Sequence, residues 1–511
     1  MIRNRIWHRI AAVVFLITLA AVGYAVFRIV RLGMLPQKYL IALCAVFAAL
    51  LCLCAFLLFK KGQHRNHIRQ FRRIMACVLC AALSGVSVYA AGMAAQLQNT
   101  VETTTSDTQT EVTGTPVGVY VLADDTASQI DDVLADPMGL LAQLGRGAAD
   151  AALAWIEEDT GTAPELTEAA GMTELADLLY NGDVRSIVVK ESYLQLLDDV
   201  EGYTDYSSKM RLLAEYTIDP SEDTDVSSVA ADETTDETAD ESTSTTDSAF
   251  VVYLSGSDTR DAGLPESTRS DVNILAVVNT QTHEILLLNT PRDYYIANPA
   301  GGGALDKLTH LGIYGVGNSM QGLADLYDVS IPYYAQINFT GFETLIDAIG
   351  GIDVNSPNEF TTDTDGGQTH VVQGMNHFNG AQALAFARER HALAAGDNER
   401  GKNQMLVIEA VIQKLTSGTT ILTHYSAILD SLSGMFRTNL SSEQLSTFVR
   451  DQLDSGASWN VTRYAVTGYN DEQPSYSLPT PNYVMQPDWD SVAEAKSLIA
   501  QVLNGETLSD S

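Results

Sequence analysis

The sequence predicts an α/β protein: a three-layer α/β/α main domain around a central mixed sheet, preceded by three transmembrane helices and a small α/β accessory domain. Three observations predict it. Beyond position 250, short β-branched apolar runs alternate with longer stretches of helical periodicity, the pattern of strands interleaved with helices. Three apolar stretches near the N-terminus, about 10–27, 40–59 and 74–93, each approach the ~20 residues a bilayer requires. An acidic, low-complexity stretch then divides the remaining chain into two folded parts.

Taken in order, residues 1–98 form a membrane anchor. The first apolar stretch is no signal peptide, since two more spans follow and no small-residue cleavage pattern is evident. Lys60, Lys61, Arg65, Arg69, Arg72 and Arg73 lie between spans two and three, which places that loop in the cytoplasm. The N-terminus, with Arg3, Arg5 and Arg9, is then inside and everything after Gln98 outside; Arg28, Arg31 and Lys38 are the exceptions. Cys44, Cys52, Cys54, Cys77 and Cys80 all sit in apolar segments and read as packing residues rather than a metal site.

Residues 99–115 read as a polar stalk. In the accessory domain, 116–217, Val117–Leu122 and Ser186–Val189 read as strands, and Met138–Leu144, Ala149–Ile156 and Glu174–Tyr180 as helices. This domain gathers no catalytic types, and Lys190 and Glu191 are expected at the surface. Residues 218–249, rich in Asp, Glu, Ser and Thr, are expected to be a disordered linker.

The main domain, 250–505, opens with strands Phe250–Leu254, Val272–Asn279, Glu284–Leu288 and Tyr333–Ile337, and a helix over Thr340–Ile349. Ala383–Ala387 reads as a short buried strand, from which Arg388 and Arg390 emerge two residues apart on one face. Asp397 is placed as the N-cap of a helix with the apolar stripe Met405, Ile408, Ile412 and Leu415, on which Arg400 and Gln404 are neighbours. A lone RxR or RxxxQ would be an ordinary surface ion pair. The charge distribution says otherwise.

Of 30 basic and 64 acidic residues, positions 1–98 hold 12 Lys/Arg and no acid, leaving 18 against 64 and a formal charge of −46. Eight of those 18 (Arg260, Arg269, Arg292, Lys307, Arg388, Arg390, Arg400 and Lys402) fall between 260 and 402. An acidic exterior that concentrates its cations in one segment holds an anion there, and nucleic acid is excluded for want of a basic footprint. Charged groups recur at strand ends: Asp258 with Arg260, Arg269 with Asp271, Arg292 with Asp293. Asp258 and Asp271 are hard oxygen donors suited to Mg²⁺ alongside phosphate oxygens. The combination suits phosphoryl chemistry, which needs charge neutralisation and positioning more than a protein nucleophile. No P-loop, HExxH or GxSxG pattern occurs, and His283, His310, His370, His377 and His391 read as surface or structural.

Six pieces now stand in order: SGSDTR at 255–260, RSDVNILAV at 269–277, NTPRDYY at 289–295, KLTHLGIYG at 307–315, NFTGFETLIDAIGGIDV at 338–354, and ALAFARERH…GDNERGKNQ at 383–404. Together they closely resemble the catalytic domain of the LytR-CpsA-Psr family of cell-wall glycopolymer ligases. The resemblance covers about half the chain and continues weakly through Arg437–Leu440 and Tyr483–Met485. It implies a membrane-anchored extracellular phosphotransferase that moves a glycopolymer from a polyprenyl-pyrophosphate carrier to peptidoglycan. It further implies that Asp258 and Asp271 hold Mg²⁺ (or Mn²⁺) and that Asp258 helps deprotonate the acceptor hydroxyl. By the same likeness Arg269, Arg292, Arg388, Arg390, Arg400 and Gln404 bind the pyrophosphate, Lys307 matches a basic family position, and the catalytic set is Asp258, Arg269, Asp271 and Arg388. The family's apolar lipid tunnel would correspond to Phe339, Phe342, Leu345, Ile346 and Ile349, for which core packing is the plainer reading. A pyrophosphohydrolase and a non-catalytic lipid-phosphate or wall-polymer sensor are the alternatives. Three spans, where many relatives have one, and the extra domain and linker are departures outside the matched residues.

Overall fold

A computed structural model describes residues 2–60, 66–110, 115–218, 248–257, 264, 267–363, 368–390, 392, 397–417, 428 and 434–508. The expected linker lies almost wholly outside these, as do Asp258, Arg260 and His391. The chain divides into two compact units.

The first unit is built on α1 (Ile2–Leu32), α2 (Gln37–Phe59) and α3 (Asn66–Thr110). Each is long and apolar enough to cross a membrane, over Arg9–Leu32, Gln37–Phe59 and Phe71–Gln96. Small side chains let the helices approach: Ala11, Cys54, Ala76 and Cys80 are buried, while Leu16, Ile17, Ile41 and Val86 point outward. All five cysteines are free.

Among the described residues the second unit holds two larger sheets and several two-stranded pairs. The smaller comprises β1 (Thr115–Leu122), β2 (Met138–Leu141), β3 (Leu166–Ala169), β4 (Ser186–Lys190) and β5 (Met210–Ile218) in the order β3-β2-β4-β1-β5. Helices α4 (Arg146–Thr160) and α5 (Met172–Tyr180) bury Ala148, Ala152 and Ile156, and Leu175 and Leu179, respectively. The expected helix at Met138–Leu144 is instead strand β2. Its four residues are all buried, so no periodicity marked it, and it pairs parallel with β3 and β4. A Cβ at Gly139 would lie 3.0 Å from Leu175 Cδ1, so glycine is what lets α5 sit close to it. Lys190, expected at the surface, is buried, with its ammonium 5.1 Å over the Tyr193 ring.

The larger sheet is mixed. It is formed by β6 (Ala249–Ser257), β7 (Val272–Asn279), β8 (Glu284–Asn289), β11 (Tyr333–Asn338), β14 (Phe436–Thr438) and β15 (Asn460–Ala465), in the order β14-β11-β6-β7-β8-β15. A hairpin, β9 (Tyr295–Asn298) and β10 (Ala304–Lys307), follows β8 and leads into a short helical turn, Leu308–Leu311, and α6 (Val316–Tyr327). Between β11 and β14 come α7 (Phe339–Ala348), the paired strands β12 (Ile352–Ser356) and β13 (Gly374–Phe378), α8 (Gly380–Arg388) and α9 (Asp397–Thr416). Helix α10 (Ser442–Ser455) belongs to the first unit; the hairpin β16 (Gly468–Gln473) and β17 (Asn482–Pro487) and helix α11 (Trp489–Leu503) close the chain.

Alternation along the strands sends Val251, Tyr253, Leu275, Val277, Leu286 and Leu288 to one face, where they form a core with Leu323 and Leu326 of α6 and Ala495, Ile499 and Val502 of α11. The opposite face carries Val252, Ile274, Ala276, Ile285 and Leu287. There α9 crosses: Glu409 reaches Arg463 of β15 at 3.2 Å, and Gly401 abuts the Asn289 side chain. These are the three layers expected.

One element differs where it matters for the site. Ala383–Ala387 is helix α8, not a strand. Asn379 caps it by accepting from the Gln382 N–H (3.0 Å), and the Gln382 side chain accepts from the Asn379 N–H (3.1 Å). Ala383 to Ala387 are buried on every side, which hides the helical period. A Cβ on Gly380 would lie 2.2 Å from the Glu343 carbonyl oxygen, so α8 packs on α7 only with glycine here. Gly380→Ala is therefore expected to cost about 1–3 kcal/mol, read as a lower unfolding midpoint, by overpacking the helix pair that carries Arg388.

Candidate active site

Strand ends and the turns after them supply the site. Asp271 immediately precedes β7, Arg292 and Asp293 follow β8, Lys307 ends β10, and His310 lies on the next turn. Arg292 Nη1 donates to Asp271 Oδ1 at 2.5 Å, and Arg292 Nε stands 3.7 Å from Asp293 Oδ2. Lys307 Nζ lies 3.6 Å from Asp293 Oδ1. Burial pushes the Asp271 carboxyl up, but the Arg292, Arg269 and Arg400 charges outweigh it and hold the group below its ordinary value. Asp271 is thus an ionised carboxylate paired with Arg292 and stabilised by the charges of Arg269 and of Arg400 from α9.

The structure brings together Arg269, Asp271, Arg292, Lys307 and Arg400. Gln404 lies one turn beyond Arg400, and both are buried. Arg388 ends α8 with its guanidinium 4.5 Å over the Phe339 ring, half-buried. Arg390 is exposed. Because α8 is a helix, the two arginines do not share a strand face. Between them Glu389 turns inward, accepting from the backbone N–H groups of Asp363 (2.5 Å) and Ala392 (2.8 Å). An open cleft of about 450 Å³ lies along α9, lined by Glu399, Lys402, Arg463 and Tyr464 among others; Arg400 and Gln404 do not line it.

Two residues enter that sequence reasoning missed. His310 is fully buried, with Nδ1 2.8 Å from Asp306 Oδ1 and Nε2 3.0 Å from Asp199 Oδ2. Asp199 comes from the accessory domain, contrary to the expectation that this domain gathers no such groups. It lies 2.7 Å from Lys307 Nζ, 3.1 Å from Arg269 Nη2 and 3.7 Å from Arg292 Nη2. A KLTH string could flag a basic position, but no local signal joins Asp199 to a segment 70 residues away.

Burial lowers the His310 pKa, but Asp306 and Asp199 reverse this and raise it above its ordinary 6.5. Burial raises Asp199 and Asp306; His310, helped by the Arg269 and Lys307 charges at Asp199 and by the Ser477 and Lys307 N–H hydrogen bonds at Asp306, more than reverses it, taking both below 3.8. The imidazolium's stabilisation is fully present below pH 6.5 and is lost as pH rises through the raised folded value; that of the carboxylates is present above 3.8 and lost as pH falls. The unfolding midpoint of the full chain should therefore fall on the alkaline side of pH 6.5, and His310→Gln should remove that step. An unchanged profile in the variant would assign the step elsewhere.

Residues 220–488 match the model of the LytR_cpsA_psr family. Similar curated proteins include the polyisoprenyl-teichoic acid–peptidoglycan teichoic acid transferases TagU of Enterococcus faecalis and Oceanobacillus iheyensis. The first is 32% identical over 228 residues, 44% of this chain and 73% of the relative. The second is 33% identical over 230 residues, 44% and 68%. Among solved structures, B. subtilis TagV aligns over 51% of this chain and 99% of its own at 22% identity and a TM-score of 0.43. TagT bound to LIIa-WTA aligns over 50% and 91% at 25% identity and a TM-score of 0.39. The chain belongs to the LytR-CpsA-Psr family.

Proposed function

We propose that this protein is a membrane-anchored phosphotransferase that moves a glycopolymer from a polyprenyl-pyrophosphate carrier to peptidoglycan, leaving a phosphodiester link. The observation that carries the reading is the cluster of Arg269, Arg292 and Arg400 acting on Asp271, with Lys307 held beside it by Asp199 and Asp293, in an exterior of formal charge −46. The relatives' names give the polymer and acceptor classes. The basic loop around Lys60–Arg73 sets the topology: that loop and the N-terminus inside, the domains after α3 outside.

The donor's pyrophosphate is bound by Arg269, Arg292, Arg388, Arg390 and Arg400 with Gln404 and Lys307, whose donors spread its charge and hold the phosphorus for in-line approach. The acceptor hydroxyl oxygen bonds to the phosphorus carrying the glycan, the bond from that phosphorus to the polyprenyl phosphate breaks, and Asp258 takes the hydroxyl proton. Arginine charge near the bridging oxygen lowers the cost of the departing phosphate. A run of half-buried apolar side chains on α7, Phe339, Phe342 and Leu345, is available to the polyprenyl chain, whereas Ile346 and Ile349 are buried in the core.

A divalent cation fits the donor chemistry in part. No group of three metal-ligating side chains occurs among the described residues, but Mg²⁺ or Mn²⁺ beside phosphate needs only one or two carboxylates. Asp271, half-buried and ionised, would supply one, and Asp258 the second. Such an ion would neutralise phosphate charge.

Arg388→Ala should lower transfer by roughly 100-fold or more, the scale of a lost transition-state contact, with folding retained because no core volume is removed. Asp258→Ala should reduce both transfer and its Mg²⁺ dependence. The assay uses the full-length protein, a polyprenyl-pyrophosphoryl disaccharide and peptidoglycan oligomers, with mass spectrometry of the adduct. Wild-type rates in the Arg388 variant would remove that residue from the site. Phosphate release without adduct would favour the hydrolase.

A further inference from the structure

Asp199 belongs to the helical turn Gln195–Asp199 between β4 and β5, outside the segment that matches the family. Yet this turn grips the site. Arg269 donates from Nη1 to the Gln195 carbonyl (2.8 Å), from Nη2 to Asp199 Oδ1 (3.1 Å), and from its backbone N–H to Gln195 Oε1 (3.2 Å). Asp198 adds a looser contact to Arg269 at 3.6 Å. The second oxygen of Asp199 accepts from Lys307 Nζ at 2.7 Å and faces His310 Nε2 at 3.0 Å. Beyond His310 the chain continues into Asp306, which accepts from Asn298, Ser477 and the Lys307 N–H.

We propose that Asp199 is a positioning residue of the anion site: the accessory domain supplies a fixed carboxylate that orients Arg269 and Lys307 for the pyrophosphate. The rival reading of the same contacts is that Asp199 occupies the pyrophosphate's own place and must leave. Exposure decides between them. The side chains of Asp199, Lys307 and His310 are 6%, 3% and 0% exposed, whereas Arg292, Asp271 and Asp293 are 17%, 15% and 13% exposed. Solvent, and so a ligand, reaches the cluster from the Arg292 side; Asp199 closes its floor. Withdrawing it would strand Lys307, His310 and Arg269 without one of their counter-charges in a nearly dry interior, which is strongly unfavourable. A carboxylate so held defines where its partners' remaining N–H groups point. The catalytic site is then assembled from two domains.

This inference rests on reading the cluster as a pyrophosphate site. Its test is binding of inorganic pyrophosphate to the full-length protein in detergent, by calorimetry, for wild type, Asp199→Asn and Asp199→Glu. Deleting a negative charge beside an anion site should tighten binding by simple Coulomb attraction. Positioning predicts the opposite: affinity falls roughly tenfold in the Asn variant, the worth of one charged hydrogen bond, and the Glu variant lies between. Should the Asn variant fail to fold, as judged by its unfolding transition, the Glu variant decides by the same sign. Tighter binding would show that Asp199 competes with the ligand, and unchanged binding that it is indifferent; either overturns the proposal. A wild type that binds pyrophosphate but forms no adduct would overturn the transferase reading alone. A wild type that binds none would overturn both.

Discussion

A cation can be held inside a protein only where counter-charge is built in beside it, and the layout of the second unit follows from that constraint. Arg269, Lys307 and Arg292 are withdrawn from water to different degrees, and Asp199, Asp271 and Asp293 meet them at 2.5–3.7 Å. The carboxylates come from separate elements: a turn of the small sheet, the start of β7 and the loop after β8. Bringing them together requires the two sheets to be placed as they are. His310, held between two carboxylates, links the cluster to Asp306 and Ser477 and so to the segment after β16.

The sheet does the positioning at larger scale. β7 and β8 are buried on both faces, so their register is tightly specified, and a one-residue slip would turn Asp271 and Arg292 away from each other. On one side of them α6 and α11 fill the core; on the other α9 packs against the end of β8 at Asn289, and the charge of its Arg400 acts on Asp271. The same alternation that buries Leu275 and Leu288 thus places the charges at the rim.

Charge segregation along the chain fits this division of labour. The first 98 residues are basic and apolar, and the rest is strongly acidic apart from one segment. An acidic surface repels a phosphate group and the basic segment attracts it, so this charge pattern supports the proposed anion site.

Much of the fold was legible in the sequence. The spans, the strands at Val272–Asn279 and Glu284–Asn289, and helices α7 and α9 all follow from apolar periods that one buried face imposes. The basic segment and its acids were also legible, because like charges concentrated in an otherwise acidic chain stand out in composition alone. Where an element is buried on all sides, the period vanishes: α8 then reads as a strand and β2 as a helix, although the Asn379–Gln382 cap was a local sign of the helix. Lys190 and His310 are expected in surface or structural roles, and nothing singles out Asp199, because charged side chains usually stay in water unless a partner receives them. Their partners lie near in space and, for Asp199, far in sequence. Sequence alone therefore determined the elements and the chemistry available; only the tertiary structure decided which carboxylate meets which cation, since that depends on the docking of one sheet against another.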